Sequence, residues 1–229
     1  MPTQDWLKKE FGYGYDSGNV LSIFPSSVRR KEERAIGGSY RKVFRQGLLP
    51  FLKPNSKILE IGPGRGSWSK AILQHIPQGE LHVVDFQNVE SWLQPSRYPG
   101  RLYCHQIEDS SAYDRIFDDD YFDVCWSFGV LCHNNLDKIE DVLTQTIPKV
   151  KENGYAIHHY GDWEKLENYG WEKGGVPLEF RDKQDDEIWW PRNAQSQMTA
   201  AAQRAGWKVI NADLGLVQRD SIAVLQRCN

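Results

Sequence analysis

Ile58-Leu59-Glu60-Ile61-Gly62-Pro63-Gly64-Arg65-Gly66 is an apolar strand that runs straight into three alternating glycines. A helical pattern, Ser67 to Ile76, follows at once, with Trp68, Ala71, Ile72 and Ile76 on one side. Glycines here allow a tight turn and a close ligand approach to bare backbone. The helix that follows offers unpaired N–H groups at its start. A second strand, Glu80 to Phe86, carries Asp85 near its end, 23 residues after Gly62. A carboxylate at that place can accept hydrogen bonds from both hydroxyls of a ribose. Strand, glycine loop, helix and acid in register point to a nucleoside-containing ligand. The dinucleotide fingerprint spaces its glycines as G-x-G-x-x-G. Here the spacing is G-x-G-x-G, with Glu60 ahead of it. An acid there suits a ligand end that carries an ammonium better than a pyrophosphate, which leaves a nicotinamide or flavin dinucleotide as the runner-up.

The alternation continues on both sides of the loop. Further strands are expected over 101–107, 121–128 and 154–160, a short helix over 88–94 and a long one over 136–151. A helix over 192–206 closes on Gly206. The strands 207–213 and 220–227 are joined by a short link and should pair antiparallel. Upstream, 28–52 reads as helical, interrupted at Gly37-Gly38, which marks a hinge or a close approach to the ligand, and ended by Pro50 and Pro54. Strands alternating with helices give an α/β fold, a mostly parallel sheet with helices on both faces. Its ligands sit beyond the C-terminal strand ends.

The bulk numbers agree with one globular unit. The chain has 229 residues, 40% of them hydrophobic, and a formal net charge of -3. That charge argues against a nucleic-acid partner. No apolar run approaches the roughly 18 residues of a membrane span, and the N-terminus has no signal pattern. Cys104, Cys125, Cys132 and Cys228 form no CxxC pair, and the first two lie in apolar runs as buried thiols. A cytoplasmic protein, monomer or homodimer, without membrane association is expected. It divides as a single domain into an N-terminal cap (1–52), a ligand-binding core (53–160), an insertion (161–193) and a C-terminal helix with a strand pair (194–229).

"LEIGPGRG" (59–66) resembles the first motif of the class I, Rossmann-like S-adenosylmethionine-dependent methyltransferases, and Asp85 falls where that family's ribose-binding acid belongs. "HQIED" (105–109) resembles the adenine-holding segment, and "FDVCWSFGVLCHN" (122–134) the fourth motif. The resemblance covers 57–160 well and 207–227 loosely. It implies a seven-stranded sheet with an antiparallel last strand, and S-adenosylmethionine as cofactor with S-adenosylhomocysteine as product. By the resemblance, Gly62, Gly64 and Gly66 pass the methionine end and Glu60 holds the loop. Asp85 binds the ribose, Phe86 flanks the adenine, Glu108 and Asp109 match its binding positions, and Ser127 and Phe128 lie beside the sulfonium. The fourth motif is not the Asn/Asp-Pro-Pro-Tyr/Phe form associated with nucleobase or glutamine amides.

Methyl transfer from a sulfonium is an in-line displacement, so alignment and a dry pocket matter most. A hydroxyl acceptor must also lose its proton, which favours a general base with a pKa near 7, and histidine suits that role. His133 follows the fourth strand; His158 and His159 end the fifth and point to opposite faces. Asp162 is near enough in sequence to orient a histidine. The resemblance extends to small-molecule and sugar methyltransferases that carry a histidine after strand four and a His-His pair ending strand five. Asp162, Asn134, Asn135 and these histidines could also supply metal ligands, but no spacing demands it, and no metal is expected. Asp118-Asp119-Asp120 reads as a solvated turn.

Residues 161–193 are too long for an ordinary loop and too aromatic for a disordered one. They are expected to form an aromatic lid over a small-molecule substrate, contributed by Trp163, Trp189 and Trp190. Arg192 and Arg181 are placed either on a substrate anion or in surface pairs with nearby acids. Tyr13 and Tyr15 are expected at the same opening. O-methylation of a hydroxylated metabolite or sugar is the leading expectation. N- or C-methylation of a small metabolite, or a non-catalytic cofactor-binding module, are the alternatives.

Overall fold

The computed structural model describes residues 16–228. Seven strands form one sheet in the order β3-β2-β1-β4-β5-β7-β6. They are β1 (Lys57–Ile61), β2 (Glu80–Asp85), β3 (Leu102–Gln106), β4 (Phe122–Ser127), β5 (Val150–Tyr160), β6 (Trp207–Asn211) and β7 (Ser221–Arg227). The first five are parallel; β7 runs antiparallel between β5 and β6. This is the Rossmann-like, mostly parallel arrangement with an antiparallel end. The order reverses between β1 and β4, so the crevice that such a reversal opens lies beyond Ile61 and Ser127.

The central strands are short, apolar and buried on both faces, as parallel strands must be. One face carries Ile58, Val83, Trp126 and Ile157, covered by Val43, Phe44, Leu48 and Ile72. The other carries Leu59, Val84, Cys125 and Ala156, covered by Tyr113, Ile139, Leu143 and Met198.

The helices are set by local signals. In α1 (Ser27–Ile36), the Ser26 side chain accepts the Arg29 amide, and Gly37 closes the helix at φ 67°. Next, α2 (Tyr40–Val43) passes into a π-helical turn, Phe44–Leu48. The core helices are α3 (Ser69–His75), α4 (Glu90–Leu93), α5 (Tyr113–Ile116) and α6 (Leu136–Thr146), the last capped by Asn135. After β5 come α7 (Trp163–Tyr169) and α8 (Trp171–Gly174), then α9 (Gln195–Arg204) before β6.

Two boundaries and two further features differ from expectation. The long helix stops at Thr146, because Pro148 cannot continue it, and β5 starts at Val150 instead of near residue 154. The insertion is helical, with a core of its own made by Cys132, Leu166, Trp171, Val176, Phe180, Ile188 and Trp190. Gly37 and Gly38 do mark a close approach, but within the protein. A Cβ on Gly37 would stand 2.7 Å from Gln218 Cβ, and one on Gly38 2.5 Å from the Leu216 carbonyl. Among the described residues no helix is long and apolar enough to cross a membrane.

Candidate active site

Parallel register brings the strand ends into one row. His105, Val84, Ile61, Ser127 and His158 are neighbours across β3, β2, β1, β4 and β5. Gln106, Asp85, Gly62, Phe128 and His159 come one residue further along the chain, at the rim where a ligand would enter.

The glycine loop is bare backbone in the left-handed region. Gly62, Gly64 and Gly66 have φ of 65°, 54° and 80°. A Cβ at Gly62 would meet Val130 Cγ2 at 2.4 Å, and one at Gly66 would meet Leu93 Cδ2 at 2.3 Å. Glu60 is buried beneath the loop, and the Ser69 hydroxyl of α3 donates to its Oε2 at 2.6 Å. Burial pushes its pKa up to about 8, with the Ser69 bond pulling the other way. Asp85 is half-buried, and its Oδ1 accepts the Gln87 amide at 2.9 Å. Burial raises its pKa, while the amides of Gln87 and Phe86 oppose the rise. Phe86 is exposed beside it, and its carbonyl accepts from Gln106 Nε2. Glu108 is exposed beyond β3. Asp109 caps the short turn Ser110–Ala112, accepting the Ser111 amide at 2.9 Å.

At the end of β4, Phe128 packs with Trp68 at a centroid distance of 4.5 Å and with Tyr40 at 5.1 Å. The two histidines of β5 face opposite sides of the sheet. His158 Nδ1 lies 2.8 Å from Ser127 Oγ, and burial pushes its pKa down to about 4. His159 stacks on Phe128 at 4.3 Å. Its Nδ1 accepts the Gly129 amide at 3.2 Å, and its Nε2 donates to Asp220 Oδ2 at 3.0 Å.

His133 stands on the turn Leu131–His133. Its Nδ1 donates to the Trp189 carbonyl at 2.8 Å, and Trp190 meets the ring edge-on at 5.1 Å. Burial pushes the ring's pKa down to about 4, aided by the charge of Arg219 and opposed by the Trp189 carbonyl. Since Nδ1 carries the proton, the lone pair belongs to Nε2.

The insertion packs onto this corner. Trp163 Nε1 donates to the Trp190 carbonyl, and Trp190 is buried in the insertion's core. Arg192 is committed inside it. Its Nη2 donates to the carbonyls of Phe180, Arg181 and Lys183, its Nη1 pairs with Asp185, and its guanidinium lies 4.5 Å from the Trp163 ring centroid. Arg181 pairs with Glu167. The surface-pair alternative therefore describes Arg192, through Asp185, and Arg181 too, although its acid is Glu167 and not one of its near neighbours Asp182, Asp185 or Asp186. Tyr13 and Tyr15 lie outside the described residues.

Asp162 does not orient a histidine. It caps α7 through the amides of Glu164 and Lys165 and accepts the Ser221 hydroxyl at 2.7 Å. Asp220 takes that role, held by Arg219 through Nε at 2.9 Å. Sequence inspection missed both residues. The available signal was a charged Arg-Asp pair at the mouth of the apolar strand β7. Among the described residues no three His, Cys, Asp or Glu side chains are placed to hold a metal ion.

Residues 30–212 match the model of a family described as a methyltransferase domain. Three solved structures share the fold. A SAM-dependent methyltransferase from Aquifex aeolicus is 13% identical, with a TM-score of 0.59 over 85% of this chain and 92% of its own. A protein of Bordetella parapertussis, described as a possible exported protein, is 14% identical, with a TM-score of 0.63 over 93% and 81%. An O-methyltransferase family protein from Burkholderia thailandensis is 14% identical, with a TM-score of 0.58 over 82% and 54%. No curated protein sequence matched. A family model spanning most of the chain, on a sheet that ends in the glycine loop and acid described above, places this protein in the methyltransferase-domain family, with the class I fold and S-adenosylmethionine as the implied cofactor.

Proposed function

We propose that this chain methylates a hydroxyl of a small metabolite or sugar. The observation that carries this reading is His133, a neutral imidazole on the turn that follows β4, whose tautomer is fixed by the Trp189 carbonyl beneath an aromatic insertion.

The strand-end residues fit S-adenosylmethionine. The left-handed glycines leave backbone that a ligand can approach, and Glu60 and Asp85 are carboxyls already removed from water. Gly62, Gly64, Gly66 and Glu60 would hold the methionine end, Asp85 the ribose, Phe86 and Glu108 the adenine, and Ser127 and Phe128 the region of the sulfur. When bound, the cofactor supplies a methyl group on a positively charged sulfur. The chain aligns the acceptor, excludes water with Phe128, Trp68 and the insertion's tryptophans, and takes the hydroxyl proton at His133 Nε2 as the oxygen attacks. Its pKa of about 4 keeps that nitrogen unprotonated at neutral pH, and makes it a weaker base than an imidazole that titrates near 7.

His133→Ala should lower kcat on hydroxylated acceptors by about 10²–10⁴-fold, the usual worth of a general base, and leave S-adenosylhomocysteine affinity intact. In the wild type, kcat/KM should be flat through neutral pH and fall only as pH approaches about 4. Turnover and affinity falling together in the variant would make His133 a structural residue. Activity on amines alone, indifferent to His133, would mean nitrogen methylation.

A further inference from the structure

His159 was a candidate base on the strength of its position at a strand end. Its hydrogen bonds assign it different work. Nδ1 accepts an amide N–H, so that nitrogen bears no proton, and Nε2 must bear it to donate to Asp220. Both nitrogens are therefore used, and the ring and the carboxylate are 1% and 0% exposed. To accept a substrate proton at Nδ1, the ring would have to release the Gly129 amide. A proton on Nδ1 would then face another N–H.

The carboxylate is itself fixed. Arg219 Nε and Nη2 reach Asp220 Oδ2 at 2.9 and 2.7 Å. Arg219 Nη1 donates to the Gly174 carbonyl at 2.7 Å, and the guanidinium lies 4.3 Å from the Trp190 ring. The series thus runs from the insertion, through the start of β7, to the end of β5, and stops on the turn after β4. What it holds there is the Gly129 amide, at φ 73°, and the face of Phe128. If methyl transfer proceeds as proposed above, this turn forms the wall beside the reacting atoms.

We propose that His159 is a positioning residue, locked by Asp220 and Arg219 in its Nε2–H tautomer so that Nδ1 grips the Gly129 amide and the ring supports Phe128. The proposal rests on the methyltransferase reading for its catalytic consequence, but its structural content stands apart from turnover. It also links the insertion to the site: a change at Gly174 or Trp190 would be felt at Phe128 through Arg219.

Two measurements test it on the full chain. The first is a long-range ¹H–¹⁵N spectrum of histidine-labelled protein at neutral pH, with His159 assigned by its loss in His159→Asn. The expected spectrum shows Nε2 protonated and Nδ1 bare; an Nδ1–H tautomer or a cationic ring overturns the proposal, whether or not the chain transfers methyl groups. The second compares two substitutions. Asn places an oxygen near the position of Nδ1 and can still accept the Gly129 amide, whereas Gln reaches toward Asp220 and cannot. His159→Asn should lose less than about tenfold in kcat with KM for the donor little changed. His159→Gln should lose about 10²-fold, the scale of a misplaced reacting geometry. Equal losses of about 10²–10⁴-fold in both would make His159 the base and overturn the proposal. Absence of turnover in the wild type would instead count against the methyltransferase reading and leave the spectrum to decide the tautomer.

Discussion

At neutral pH Glu60 keeps its proton, because burial holds its pKa near 8. The unfolded chain gives the proton up near the ordinary value of 4.5. Folded protein thus binds one more proton than unfolded protein between these values. Its stability from this group is complete below 4.5 and is lost as pH rises through about 8. A ligand cation placed nearby would reverse the preference and draw the proton off. If the ammonium of S-adenosylhomocysteine takes the proposed place at this end of the loop, its binding should tighten as pH rises toward about 8 and release a proton. Titration calorimetry in buffers of different ionisation enthalpy measures both effects. Glu60→Gln should abolish the pH slope. A slope that survives in the variant, or is absent from the wild type, would remove Glu60 from the binding site. The places of Glu60 beneath the glycine loop and of Asp85 at the end of β2 were legible in the sequence because motif spacing fixed them. Asp220 was not legible. It is 61 positions from His159, and only the antiparallel register of β7 on β5 brings the two together.

Among the elements, the glycine loop makes the sharpest demand on sequence. Gly66→Ala would put a Cβ at φ 80°, a conformation that costs an L-residue about 1–2 kcal/mol, and would press on the buried Leu93. Thermal melts should show a loss on that scale, and S-adenosylhomocysteine affinity should fall more than about tenfold as the loop shifts. A variant that binds like the wild type would show that the loop does not carry the donor. The core strands were readable because parallel strands buried on both faces are plain apolar runs. The junction between α6 and β5 was not. Val150 and Lys151 continue the helical pattern numerically, and only Pro148 and the left-handed Asn153 break it. The insertion was recognisable as folded by its aromatics, but not as two short helices followed by a turn, Leu178–Asp182, that Arg192 pins through the carbonyls of Phe180, Arg181 and Lys183.

Across the whole molecule, the insertion is clamped to the body. The Tyr169 hydroxyl donates to the Arg34 carbonyl of α1, Lys165 pairs with Asp213, and Arg219 bonds the Gly174 carbonyl. These contacts tie α1, the insertion and the β6–β7 link to one another. Strand alternation pointed to the C-terminal strand ends as the ligand side; it gave no sign that the insertion is tied to the end of β5 through Arg219, Asp220 and a histidine. The crevice at the order reversal is where S-adenosylmethionine is proposed to bind. The direct measurement is a melting titration of the wild-type protein against S-adenosylmethionine, S-adenosylhomocysteine and NAD. A ligand present at a hundred times its Kd stabilises by about 2.7 kcal/mol, so the first two should raise Tm in a dose-dependent way and NAD should not. No response to either sulfur compound, or a response to NAD in their place, would contradict the account.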